Sequence, residues 1–192
     1  SEMRHYLILP WLLALLFLAG CTTTAPLRGT GDLGVVIERA TGSIQVVETT
    51  HRTKLGQIAG LGDLSHASLN YSRDMRYAYV FGRDGGLTKV DMLEMRIVKR
   101  VMQAGNSIGG AISQDGRLVV AQNYQPGGIK VFDSATLEVL SEVPTGSKVV
   151  GLADLPGQRF GYALFDAGEI WITDLTNPRQ PRTQKFPAGR QP

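Results

Sequence analysis

The stretch Asn70–Asp91, NYSRDMRYAYVFGRDGGLTKVD, is nearly restated at Ala111–Asp133, AISQDGRLVVAQNYQPGGIKVFD. Ser72-Arg73-Asp74-Met75-Arg76 of the first phrase falls on Ser113-Gln114-Asp115-Gly116-Arg117 of the second, 41 residues later. The acid that closes each phrase also recurs: Val90-Asp91, Phe132-Asp133 and Thr173-Asp174 lie 42 and then 41 residues apart. Gly42, Gly86, Gly128 and Gly168 open the strand before such an acid, and Gly60, Gly105, Gly146 and Gly189 close each unit. Apolar residues come in short runs broken by turn residues, without helical periodicity, which argues for many short strands. A period of about 40–45 residues built from strands alone is the signature of a β-propeller blade.

Each unit divides into strands A to D. In the second unit strand A is His66–Tyr71, Ser72–Met75 turns, and strand B is Tyr77–Phe81. Gly82–Gly86 then loops to strand C at Leu87–Asp91, and Met92–Met95 turns to strand D at Arg96–Val101. The third unit has strand C at Ile129–Phe132 and strand D at Glu138–Val143; the fourth has Glu169–Ile172 and Pro181–Phe186. The D strands are the polar ones, as suits edges that must resist pairing with other chains. The first unit offers only Leu33–Ile37, Ser43–Val47 and Lys54–Ile58, which is B, C and D without A. The expected fold is therefore all-β, with blades of four antiparallel strands over residues 31–192, about three and three-quarter blades in all. The simplest expectation is the first half of a longer ring; the alternative is an oligomer whose copies complete one another.

Ahead of the repeats, Arg4 and His5 lead into an apolar run from Tyr6 to Leu18 and the tetrapeptide Leu18-Ala19-Gly20-Cys21. The run is short for a membrane-spanning helix and fits a signal peptide over residues 1–20, with Ser1-Glu2 an extension before Met3. Cys21, the single cysteine, follows Leu-Ala-Gly as in a bacterial lipobox, where the thiol is lipidated. The alternative is an ordinary secretory signal with an incidental cysteine. With Thr22 next to it, such a lipoprotein is expected in the periplasm, anchored to the outer membrane, with residues 21–30 as a flexible tether. Membrane contact is then through the lipid anchor only.

A formal net charge of +3, with no Lys/Arg block and no aromatic-basic interleaving, gives no support to nucleic-acid binding. Propeller ligands usually sit on the face made by D–A and B–C loops. That face is expected to carry Arg39, Asp63, Ser65, His66, Arg83, Asp84, Asn106, Ser107, Asn123, Tyr124, Lys148 and Asp166. His51, Arg73 and Arg76 fall on the opposite turns. There the Ser-x-Asp-x-Arg pattern reads as structural, the Ser and Asp capping the turn through side-chain to backbone hydrogen bonds. His66, at the channel mouth, is the sharpest candidate for a catalytic residue, because an imidazole can ligate a metal or move a proton. The bland alternative is a surface or hydrogen-bonded histidine. No second histidine or cysteine stands at metal-ligand spacing, so no metal site is expected. GRDGG at Gly82–Gly86 joins two antiparallel strands rather than a strand and a helix, so it fails as a nucleotide loop. Arg39, Arg83 and Lys148 together suit the carboxylates of an anionic ligand, and Tyr124 can stack on a flat ring.

The lipobox, GTGDLGVVIERATGSIQVVETT (Gly29–Thr50), LGDLSHASLNYSRDMRYAYVFGRDGGLTKVD (Leu61–Asp91) and NYQPGGIKVFD (Asn123–Asp133) resemble the NirF proteins of denitrifying bacteria. The resemblance runs over essentially the whole chain after Cys21. It implies half of an eight-bladed periplasmic propeller, related to the d1-haem domain of cytochrome cd1 nitrite reductase and required for d1-haem biosynthesis. It also implies d1 haem or its dihydro precursor as ligand or substrate, with no other cofactor, and a possible oxidoreductase or other tetrapyrrole-modifying activity. Other d1-haem maturation proteins and cytochrome cd1 nitrite reductase are the implied protein partners. On matching loops the site residues are His66, Arg83, Asn123 and Tyr124. The competing functional reading is a non-enzymatic interaction or scaffold propeller lipoprotein.

Overall fold

The computed structural model describes residues 28–189. The signal segment, Cys21 and most of the tether lie outside the described residues. From Arg28 on the chain is tied down: Arg28 pairs with Asp32 at 2.7 Å, and the Thr30 hydroxyl donates to the Asp74 carbonyl at 2.6 Å.

Fifteen strands follow one another among the described residues. They are β1 (Leu33–Glu38), β2 (Ser43–Glu48), β3 (Thr53–Ile58), β4 (Ser68–Tyr71), β5 (Tyr77–Phe81), β6 (Gly86–Asp91), β7 (Arg96–Met102) and β8 (Asn106–Ile112). After them come β9 (Leu118–Gln125), β10 (Ile129–Asp133), β11 (Val139–Val143), β12 (Val149–Leu155), β13 (Arg159–Leu164), β14 (Glu169–Asp174) and β15 (Arg182–Pro187). They form one three-stranded sheet, β1-β2-β3, and three four-stranded meanders, β4–β7, β8–β11 and β12–β15. Every pairing is antiparallel. This is the partial β-propeller expected from the repeat, its first blade holding three strands among the described residues.

Alternate side chains of a strand face opposite sides of its sheet, so each blade can feed two cores. Ala78 and Val80 of β5 pack with Ile44, Val46 and Ile58 of the first blade. Tyr79 and Phe81 of the same strand pack with Val119, Ala121 and Phe132 of the third. A further cluster joins Val120, Ile129 and Val131 to Phe160, Tyr162 and Trp171 of the fourth. The first strands of neighbouring four-stranded sheets pack on one another, and Gly110 of β8 is required there: a Cβ would overlap the Phe81 ring and the Val120 carbonyl oxygen. Polar side chains bridge neighbouring blades at the same depth. Asn70 Nδ2 donates to the Gly110 carbonyl at 2.8 Å, and Gln122 Nε2 to the Val149 carbonyl at 2.8 Å. The outermost strands are largely exposed and carry Lys54, Arg96, Lys99, Arg182 and Lys185, which blunts them against edge pairing.

Strand A of the second blade starts later than the sequence suggests. Pairing begins at Ser68↔Phe81, and Ser65-His66 form a turn instead.

Candidate functional site

At the loop end of the blades the connection from β3 to β4 is pinned by two apolar anchors, Leu61 and Leu64, both buried. Between them the polar residues close a turn. Asp63 Oδ1 accepts the Ser65 amide at 2.9 Å, and the Arg83 amide donates to the Asp63 carbonyl at 2.9 Å. From the first blade, Arg39 Nη1 donates to the carbonyls of Leu64 (3.1 Å), Ser65 (3.2 Å) and Ala67 (3.4 Å). These bonds use the segment as a turn, which is why it does not extend β4. His66 stands exposed at the tip, and among the described residues its ring has no hydrogen-bond partner. Ser65, through its hydroxyl and amide, holds the Asp63 carboxyl below the usual carboxylate range against an opposing push from burial, with Arg83 and His66 lowering it further.

The loop from β5 to β6 presents Arg83. Asp84 organises it, accepting the Gly86 amide at 2.9 Å and pairing with Arg100 at 2.8 Å. Gly85 has φ 84°, and its carbonyl accepts the Gln103 amide at 2.9 Å. A Cβ at that position would overlap the Ala104 carbonyl oxygen, so the turn needs glycine. With the main chain so fixed, the Arg83 guanidinium extends outward. Among the described residues no carboxylate lies within ion-pair distance of it.

The facing wall comes from the third blade. The β8–β9 register shifts between Asn106 and Ser107 and again before Gly109, a bulge that re-aims the strand start. His66, Arg83, Asn106, Ile108 and Tyr124 together line one concavity of about 230 Å³. Lys148, from the next connection, places its ammonium 5.8 Å from the centroid of the Tyr124 ring, within cation–π range. Asp166 accepts the Lys148 amide at 3.3 Å and the Ser147 hydroxyl at 3.3 Å, so it braces the loop rather than neutralising the ammonium.

The structure thus brings together His66, Arg83 and Tyr124, with Lys148 beside the tyrosine. Two other expected ligand-binding residues are placed elsewhere. Asn123 is 2% exposed and exchanges two 2.9 Å amide bonds with Gln103. Its amide is engaged by Gln103, and it is not among the residues that line the concavity. Arg39 is engaged on the three carbonyls above. Ser107 is buried, donating to the Gln122 carbonyl at 3.0 Å. Ile108 was not legible as a site residue. Its only signal is the alternation of β8, which puts it on the same face as Asn106.

Chemically, the concavity offers an aromatic and an aliphatic wall, one amide, an imidazole and the Arg83 guanidinium, with the Lys148 ammonium beside the aromatic wall; among the described residues neither cation has a carboxylate partner. That set suits a flat, partly apolar ligand with carboxylates at its edge. Its volume is below the about 300–1,000 Å³ of ordinary small-molecule pockets. Among the described residues no group of three or more His, Cys, Asp or Glu is placed to hold a metal ion.

The chain matches the family described as "Cytochrome D1 heme domain" over residues 28–192. It is similar to Protein NirF of Pseudomonas aeruginosa, 60% identical over 94% of this chain and 48% of that protein. Protein NirF of Stutzerimonas stutzeri is 55% identical over 94% of this chain and 49% of that protein. The chain therefore spans about half the length of these curated relatives. Among solved structures, dihydro-heme d1 dehydrogenase NirN in complex with DHE superposes with a TM-score of 0.73. That likeness covers 86% of this chain and 38% of the other at 24% identity, and it concerns the fold alone.

Proposed function

The chain belongs to the cytochrome D1 heme domain family, and from that premise we propose that its loop-end concavity binds d1 haem or its dihydro precursor during d1-haem biosynthesis. The convergence of His66, Arg83, Asn106, Ile108 and Tyr124 around one cavity carries this reading. Arg83 and Lys148 would hold the carboxylates at the ring edge through charge-assisted hydrogen bonds. Tyr124 and Ile108 would cover the face of the ring, and His66 would act as axial ligand or move a proton at a ring nitrogen. The similarity to Protein NirF at 60% identity supports a place in d1-haem formation. Other d1-haem maturation proteins and cytochrome cd1 nitrite reductase are the protein partners this reading implies.

Titration of the full chain with d1 haem, followed by absorbance, tests it. Saturable spectral change at micromolar ligand is expected. His66→Ala shifts the Soret band if His66 ligates the iron and leaves it in place if the imidazole only moves a proton. No response from the wild-type chain, together with capture of protein partners alone, would establish the scaffold reading instead.

The same reading puts the protein in the periplasm, lipid-anchored through Cys21 to the outer membrane. Leu18-Ala19-Gly20-Cys21 supports this. Metabolic labelling with palmitate should mark the wild-type chain and fail on Cys21→Ser; equal labelling of both would exclude it.

A further inference from the structure

We propose that Arg39 is a positioning residue for His66: a guanidinium delivered by the first blade holds the second-blade turn that presents the imidazole to the cavity. The functional consequence rests on the tetrapyrrole reading of that cavity, whereas the geometry does not. One nitrogen, Nη1, faces the carbonyls of Leu64, Ser65 and Ala67, which flank His66 on both sides. A nitrogen with two hydrogens facing three acceptors makes shared bonds, which hold the three oxygens on one point of charge. Strand pairing starts only at Ser68↔Phe81, so these carbonyls have no ladder partners of their own. The guanidinium stands in for the missing ladder.

Two further bonds close the turn from other directions: the Ser65 amide to Asp63 at 2.9 Å, and the Arg83 amide to the Asp63 carbonyl at 2.9 Å. The turn is therefore held by the first blade, by the second blade and by its own aspartate, while the His66 ring stays unbonded among the described residues. A fixed backbone with a free imidazole is the arrangement a ligand-contacting group needs. The bonds to Ser65 and Ala67 are exposed, so water can replace them when Arg39 is removed. The loss then falls on order at residues 64–67 rather than on the stability of the sheets.

Two arms test this on the full chain. Without ligand, backbone order parameters at residues 64–67 should fall in Arg39→Ala from the rigid range near about 0.85 toward about 0.6, and recover in Arg39→Lys, whose ammonium can donate to the same carbonyls. With d1 haem, Arg39→Ala should weaken binding about tenfold and move the bound spectrum toward that of His66→Ala. The double variant Arg39→Ala/His66→Ala should bind no more weakly than His66→Ala alone, because Arg39 acts through His66. Additive losses in the double variant would show Arg39 touching the ligand itself and overturn the proposal. Unchanged order parameters with an unchanged spectrum would overturn it as well. If wild-type protein gives no response to d1 haem, the tetrapyrrole reading fails while the order-parameter arm still decides the role of Arg39.

Discussion

The two ends of the blades are built on different rules. At the A–B turns the same bonds recur in successive blades. Ser72 Oγ donates to Asp74 Oδ1 at 2.5 Å and Ser113 Oγ to Asp115 Oδ1 at 2.7 Å, while the Tyr77 and Leu118 amides donate back to those hydroxyls at 3.0 Å. At the neighbouring C–D turns Asp91, Asp133 and Asp174 each accept main-chain amides. At the loop end the main-chain bonds repeat as well, between the second and fourth blades: the Arg83 and Phe165 amides donate to the Asp63 and Lys148 carbonyls at 2.9 Å, and Asp84 and Asp166 accept the Asp63 and Lys148 amides at 3.3 Å. What varies is the side chain each blade presents there: Arg83 and Phe165 follow strand B in the second and fourth blades, and Tyr124 lies near the end of β9 in the third. Side chains at the turn end satisfy a main chain that would otherwise be orphaned, and so they are held to type. At the loop end Asp84, Asp166 and Arg39, together with main-chain partners, satisfy the main chain, which leaves the side chains of His66, Arg83 and Lys148 available for a ligand.

The widest separation between the two ends should come from Asp91. It is buried, paired with Arg76 at 2.9 Å, and caps the Leu93 and Glu94 amides. Asp91→Ala should cost about 2–3 kcal/mol by leaving those donors unpaired, read as a lowered urea midpoint, with d1-haem affinity per folded molecule unchanged. Loss of affinity at unchanged stability would mean the ends are not independent. The converse substitution, Arg83→Ala, should weaken d1-haem binding about tenfold, or about 1.4 kcal/mol, and leave stability within about 0.5 kcal/mol. A lower urea midpoint there would break the comparison from the other side. Ser113→Ala should cost about 1 kcal/mol, since the buried hydroxyl accepts the Leu118 amide; chemical denaturation with intact d1-haem titration checks it.

The smallest effect is an acid slope. Burial pushes the Asp91 carboxyl up, but the Arg76 guanidinium and the Glu94 and Leu93 amides together hold it below its ordinary value. A carboxyl lowered in the folded state contributes stability fully above its unfolded value of about 3.9. That contribution is lost as pH falls through the lower folded value. Denaturation curves between about pH 5 and pH 2 should therefore be flatter in Asp91→Asn than in wild type. Parallel slopes would show that other carboxylates dominate the acid limb.

The blade count and the order of strands and turns were legible in the sequence, though not every strand end: His66 and Ala67 fall outside β4, and Asn123 and Tyr124 fall inside β9. Count and order depend on local turn chemistry and on alternation with period two, both of which the chain carries in short segments. His66, Arg83, Tyr124 and Lys148 could be assigned to one face for the same reason. Which of the candidates are free was not legible. Arg39 and Arg83 look alike in the sequence, yet only the packing of the first blade on the second commits Arg39 to three carbonyls. Asn123 looked like a loop residue until Gln103, twenty positions earlier in the chain, met it in the interior.

Lys89 shows the division most plainly. Alternation places it in strand C, but its burial is decided by the third blade. Its ammonium donates to the Ser134 carbonyl at 2.9 Å and lies 4.3 Å from the Tyr77 ring centroid. Burial pushes its pKa down, against the pull of Asp133, Asp74 and Asp91. Beside it, burial pushes the Tyr79 hydroxyl up to about 12 while that hydroxyl donates to the same carbonyl at 2.7 Å. The sequence by itself determined the repeating unit, because turns and strand faces are written in neighbouring residues. Only the tertiary structure decided which charges are engaged and which are open, because their partners sit on the adjoining blade, 25 residues away for Arg39 and Leu64 and 45 for Lys89 and Ser134.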